Sequence, residues 1–299
     1  MGYQPADRDH PDRIGDFGLT GVDVLMIADT YGVYRDDLKD IENRIAHNDY
    51  NPILFGRIDD EDADAIRGHV SAGGAVTAEF NTFMAPTLPR ERRRMEDLFG
   101  VEWSGWVGRV FPDPWDELDT PAWLSREYEK QFGAPLPHAP MLVFVDDSGV
   151  LKALSTTDLG GVTPWAELTD AGRERFDDAR KRAPYFYWWA LVRSRPGTDV
   201  FAEFALPDIP GMEKFLESIE VAPRPPLLTI PQAPPLRAHF AGEFVDLDFD
   251  PGTWDKTGIA RRRGGGPLSI SGPTSEPAYW RIWAPIVEQL LREEEAARR

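Results

Sequence analysis

Residues 22–28 (VDVLMIA) are apolar almost without interruption and stop at Asp29-Thr30-Tyr31-Gly32. That pattern predicts a short strand covered on both faces and followed by a tight loop. Strands covered on both faces belong to parallel sheets, so the chain must then cross back over the sheet before the next strand. The following residues fit. Leu38, Ile41 and Ile45 recur at helical spacing and the pattern ends at His47-Asn48-Asp49 with Asn51-Pro52. Ile53 to Ile58 (ILFGRI) reads as a second strand, and Asp59 and Asp60 offer caps to a helix whose inward residues are Ala63, Ile66 and Val70, stopped by Gly73-Gly74. Ala75 to Phe80 (AVTAEF) is a third strand. After a loop through Pro89, a helix from about Arg90 to Phe99 turns Met95, Leu98 and Phe99 inward and ends at Gly100. The predicted order is β-α-β-α-β-α, which makes the class α/β: a flavodoxin-like three-layer sandwich with a mostly parallel central sheet.

The rest is less regular. Val101 to Pro140 is rich in tryptophan (Trp103, Trp106, Trp115, Trp123) and proline without a long period, and predicts an irregular insertion or lid over residues 101–140. Met141 to Val145 reads as a buried strand before the turn Asp146-Asp147-Ser148-Gly149. Phe186–Val192 and Val200–Leu206 read as strands joined by a hairpin at Arg195-Pro196-Gly197-Thr198, and the charged stretch 163–183 between the earlier elements is compatible with a helix. A short helix is expected within 208–219, starting at Pro210. In residues 223–235, six of thirteen are proline, which predicts a linker. Arg237 to Asp246 is strand-like and too short for a core of its own, so it is expected back in the same sheet. A final helix, capped at Thr274 or Ser275 and kinked at Pro285, carries Trp280, Trp283, Val287, Leu290 and Leu291 on one side. Residues 1–17 read as a flexible tail and 18–299 as a single domain, with 236–299 packing on it; Arg261 to Gly266 (RRRGGG) reads as a surface loop.

Function is constrained first by what is missing. There is no cysteine, so thiol nucleophiles, Cys-ligated metals and disulfides are excluded. The 33 basic against 51 acidic residues give a net charge of −18, which repels a phosphate backbone, so no nucleic-acid partner is expected. No apolar run is long enough for a membrane span and the first residues are polar, so the expectation is a cytoplasmic protein with no membrane partner. Five histidines without metal-ligand spacing give no metal site, and neither a Gly-x-Gly-x-x-Gly nor a Walker loop is present, so no cofactor is expected. His47 and His69 read as surface helix residues and His239 as a satisfied core histidine.

Ligands of open α/β sheets bind beyond the carboxyl ends of the strands. That rule gathers Asp29, Thr30, Tyr31, Arg57, Glu79, Asn81 and Thr82 on one rim. Glu79 and Asp29 are the candidate catalytic acid and base, or ligands for a hard cation, and structural ion pairs from Glu79 to Arg57 or Arg109 are the alternative. Trp106 and Arg109 follow the third crossover helix and are candidates to fold over the same crevice, where a flat aromatic face beside carboxylates suits a sugar ring. The same tryptophans would equally staple an insertion to the body.

Two segments carry a family resemblance. The helix ending in Gly73-Gly74 and feeding into AVTAEFN, and the late segment Phe240-Ala241-Gly242-Glu243-Phe244, are similar to the corresponding units of class I glutamine amidotransferase-like domains, including ThuA-like proteins and the trimerisation domain of some β-galactosidases. The resemblance covers roughly residues 20–110 and 236–247. True amidotransferases of that group place a cysteine after the third strand, where this chain reads Glu79-Phe80-Asn81-Thr82, so a glutaminase is excluded. What the resemblance implies is a non-glutaminase member holding a small polar, carbohydrate-like ligand, with Thr30, Tyr31, Arg57, Asn81, Trp106 and Arg109 as ligand-binding residues. The alternatives are a carboxylate-based hydrolase using Glu79 and Asp29, and a non-catalytic assembly module that holds a partner or forms a homo-oligomer.

Overall fold

The computed structural model describes residues 14, 18–28, 30, 33–34, 53–84, 86–116, 119–244 and 278–299. In chain order the elements begin with β1 (Val24–Ile27), β2 (Val33–Tyr34), β3 (Ile53–Phe55), α1 (Asp60–Ser71), β4 (Ala75–Glu79), α2 (Pro89–Phe99), β5 (Val101–Phe111) and α3 (Ala122–Phe132). There follow β6 (Met141–Asp146), β7 (Leu151–Ser155), β8 (Trp165–Leu168), α4 (Asp170–Arg175), β9 (Arg182–Pro184) and β10 (Trp189–Ser194). The last are β11 (Thr198–Ala205), α5 (Met212–Ser218), β12 (Pro226–Pro231), β13 (Arg237–Phe240) and α6 (Ala284–Ala297).

The architecture is not the predicted flavodoxin-like sandwich. The main sheet has seven strands in the order β1-β4-β13-β12-β11-β8-β9. Only its first part is parallel: β1 lies beside β4 with Val24 opposite Ala75, and β13 flanks β4 on the other side with Phe240 opposite Glu79. From β13 onward every pairing is antiparallel. A second, antiparallel sheet runs β10-β5-β6-β7. The crossover rhythm that predicts parallel strands ends with α2, and beyond it the strands pair in antiparallel fashion instead.

Five local expectations change accordingly. The second predicted strand is not in the main sheet, because β3 pairs only with β2, in a separate two-stranded ribbon, and the chain turns away at Gly56 and Arg57, both at positive φ. The predicted insertion is a long strand, β5, followed by α3; Gly105 and Gly108 break the apolar alternation that would have announced it. β10 and β11 both form but do not pair, since the turn at Gly197 carries the chain from one sheet to the other. The proline-rich stretch contains the inner strand β12, with prolines confined to its first and last positions. Residues 163–183, read as helix-compatible, hold β8, the short α4 and β9.

Local rules hold best around α1. Asp59 accepts the main-chain N–H groups of Glu61 and Asp62 at 3.0 Å, and the Asp62 carboxylate reaches back to the Asp59 N–H at 3.3 Å, a capping box. Ala63, Ile66 and Val70 are buried as expected, and so are Met95, Leu98 and Phe99 of α2. Phe83 and Phe99 cover one face of the parallel strands. On the other face Trp283 packs on Phe240 and Phe244, and Arg298 at the far end of α6 reaches the carbonyl oxygens of Asp23 and Gly73. The turn before Pro285, Tyr279–Trp283, widens into π-helix. The second sheet alternates across its pleat: Val110, Leu142 and Phe144 join the main core, while Phe111, Met141 and Val143 join Leu124 of α3 in a separate cluster. The predicted helix at 38–45, the loop 261–266 and the caps Thr274 and Ser275 lie outside the described residues.

Candidate functional site

β4 ends in a run of buried polar side chains: Thr77, Glu79, Asn81 and Thr82. The Thr82 hydroxyl donates to the Glu79 carbonyl at 2.6 Å and closes a single 3-10 turn, Phe80–Thr82. The Thr30 hydroxyl, beyond β1, donates to the Asn81 carbonyl at 2.8 Å, and the Arg57 N–H donates to the Thr30 carbonyl at 2.9 Å. Thr30, Arg57 and Asn81 therefore meet, as the strand-end rule predicts, although β3 is not a neighbour of β4. The Arg57 side chain is exposed, and Asp29 and Tyr31 lie outside the described residues.

Glu79 does not stand alone. It is 4% exposed, and its Oε2 accepts the Phe244 N–H at 3.0 Å. That bond draws the segment after β13 over the end of β4 and brings in a second buried acid, Glu243, 5% exposed. Between them sits Tyr185. Its hydroxyl lies 2.7 Å from the Trp188 carbonyl oxygen and 2.8 Å from that of Glu243, so one hydrogen serves two acceptors. The Glu243 N–H donates to the same Trp188 carbonyl at 3.1 Å. Gly242 is required there, because a Cβ would lie 2.8 Å from the Tyr185 hydroxyl oxygen. Burial pushes the Tyr185 phenol well above its ordinary pKa, and the charges of Glu243 and Glu79 push the same way, so the phenol stays protonated.

Arg109 reaches this cluster from the second sheet. Its guanidinium packs 4.8 Å from the Tyr187 ring, 4.9 Å from Phe111 and 5.5 Å from Trp188, and pairs with the partly exposed Asp119. The Arg109 Nε is buried with no protein acceptor. Trp188 links the two halves, its ring under Arg109 and its carbonyl joined to Tyr185 and Glu243. Trp106 goes elsewhere: it meets Phe215 of α5 edge-on at 5.0 Å, and its carbonyl accepts the Trp103 indole N–H at 2.8 Å.

Sequence reasoning missed Glu243, Tyr185 and Trp188 as site residues. The available signal was a lone charge inside the aromatic stretch Phe240 to Phe244, which a core strand does not otherwise carry. His69 was misread as a surface residue; it is buried, with Nε2 3.0 Å from the Ala75 carbonyl oxygen, and ties the end of α1 to the start of β4. His138 stacks on Trp115 at 4.3 Å. Among the described residues, no group of three or more His, Asp or Glu side chains is placed to hold a metal ion, and no helix is long and apolar enough to cross a membrane.

No protein family matches the chain by sequence, and no curated protein does. Among solved structures, a β-galactosidase from Rahnella sp. R3 is similar at a TM-score of 0.33 and 10% identity, over 76% of this chain and 21% of that one. The chain thus spans about a fifth of that protein's length, and the likeness is too slight to assign a shared fold.

Proposed function

We propose that the chain binds a small polar, carbohydrate-like ligand at the seam where the carboxyl ends of β4 and β13 meet the Tyr185–Trp188 turn. The observation that carries the reading is the pair of buried acids, Glu79 at the end of β4 and Glu243 in the segment after β13, both acting on one neutral phenol, beside a caged arginine. Burying charge costs free energy that a merely structural seam could avoid with apolar residues. A polar ligand turns that cost into recognition: carboxylates accept hydroxyl protons, the half-buried Tyr187 and Trp188 offer apolar faces, and Arg109 supplies a donor. Asn81 and Thr30 border the same floor through their shared bond. The carboxylate-hydrolase alternative, with Glu243 in place of Asp29 beside Glu79, is supported by the action of both acids on Tyr185.

A thermal-shift screen with neutral sugars, acidic sugars, nucleotides and divalent ions tests the reading. A compound that raises the Tm of the parent and not that of Glu79→Gln supports binding at the seam. Equal shifts in both exclude Glu79 from the site. Release of product from a stabilising compound on incubation with the parent selects the hydrolase over the binding protein.

A further inference from the structure

On the opposite face of β13 from Phe240, the ladder sets His239 directly across from Thr229 of β12. Residues opposed in this way share a face, and this one is roofed by Phe83 and Phe99, whose rings lie 4.4 and 6.0 Å from the imidazole. His239 is 0% exposed and Thr229 1%. Among the described residues, neither ring nitrogen of His239, nor the Thr229 hydroxyl, has a hydrogen-bond partner. Three orphaned polar atoms on two facing side chains form a pattern of their own. His69, the other buried histidine nearby, shows the usual arrangement, with Nε2 3.0 Å from a main-chain carbonyl oxygen.

Buried hydroxyls and imidazoles in folded proteins are almost always satisfied, and where protein groups do not do it an internal water does. We propose that β12, β13 and α2 enclose a water-binding site in which an ordered water bridges the Thr229 Oγ1 to one ring nitrogen of His239. A neutral imidazole presents one donor and one acceptor, and water and hydroxyl each do both, so the bridge forms without any charge in the core. The site is separate from the ligand seam: His239 lies within β13 and faces the water layer, and the segment after the strand carries Glu243 and the Phe244 N–H that bonds Glu79.

A crystal structure of the full chain at high resolution, together with melting of Thr229→Val and Thr229→Ser, tests this. The expected result is a density peak about 2.6–3.2 Å from both the Thr229 hydroxyl and a His239 nitrogen. Thr229→Val then lowers Tm by about 2–4 °C, because it strips the water of a partner, while Thr229→Ser stays closer to the parent. A dry space with Thr229→Val melting higher than the parent overturns the proposal, since removing a truly orphaned hydroxyl stabilises. A protein group or metal ion found at that place overturns it too. Should the valine variant fail to fold, nitrogen spectra of the His239 ring in the parent decide: exchange of magnetisation between its N–H and water is expected, and its absence overturns the site.

Discussion

The Glu79 carboxylate accepts the main-chain N–H of Phe244 at 3.0 Å, across a sequence separation of 165 residues. This single bond closes the segment after β13 over the end of β4, and it converts a strand-end acid into part of a fixed floor. Removing the acceptor leaves a buried N–H unsatisfied. Glu79→Ala is expected to cost about 1–3 kcal/mol in urea unfolding, and Glu79→Gln, which keeps an oxygen acceptor, clearly less. Equal losses in the two variants would mean that the Phe244 contact contributes nothing.

Tyr185 has an optical signature. Its phenol is raised by burial and by the nearby acids, so in the unfolded chain it ionises near pH 10 while in the folded chain it does not. Stability from this group is present below about pH 10 and is lost as pH rises beyond it. Alkaline titration followed by tyrosinate absorbance should show one phenol that ionises only with unfolding, and Tyr185→Phe should remove that component. The same variant should also weaken the fold by about 1–2 kcal/mol through the freed carbonyls of Trp188 and Glu243.

His239 works at the acid end. Burial lowers its pKa to about 3, against an ordinary value near 6.5, so between those limits the unfolded chain takes up a proton that the folded chain refuses. The penalty is absent above about pH 6.5 and grows as pH falls toward 3, reaching on the order of 5 kcal/mol. In His239→Phe, unfolding free energies measured from pH 7 to 4 should fall less steeply than in the parent. A parallel decline would rule out His239 as the source.

Gly108 is held free of a side chain by Trp189, whose ring carbon Cζ2 lies 2.6 Å from where a Cβ would stand, with a Phe144 ring carbon 2.9 Å away. Both rings are fully buried, so neither can swing aside into solvent. Gly108→Ala is expected to destabilise by about 1–3 kcal/mol, read by chemical denaturation with tryptophan fluorescence. A neutral outcome would show that the indole has room to move.

These residues also explain what was legible in the sequence. Capping at Asp59, the inward faces of α1 and α2 and the strand ending in Glu79 are local matters, and local patterning found them. The pairing of β13 with β12 and of β10 with β5 is set by contacts more than 80 residues apart in the second case, and no periodicity records partners. Strand β12 was hidden because proline argues against a sheet interior, yet its two prolines stand only at its ends. That Asn81, Thr30 and Arg57 meet was legible because each follows an apolar run whose end is visible in the sequence. Glu243 and Trp188 were missed because they join Tyr185 through main-chain carbonyls, links that side-chain identity does not reveal. Arg109 was assigned to the site with Trp106 as its neighbour, but successive residues of a strand point to opposite faces, and residues an odd number apart part company on β5.

The most direct measurement of the central claim is hydrogen–deuterium exchange of the parent chain in the presence of each compound in the thermal-shift panel. The account predicts that a stabilising compound slows exchange in peptides covering residues 79–82, 185–188 and 241–244 together, and leaves α4 unchanged. Stabilisation accompanied by protection elsewhere, with these three segments exchanging as before, would contradict it.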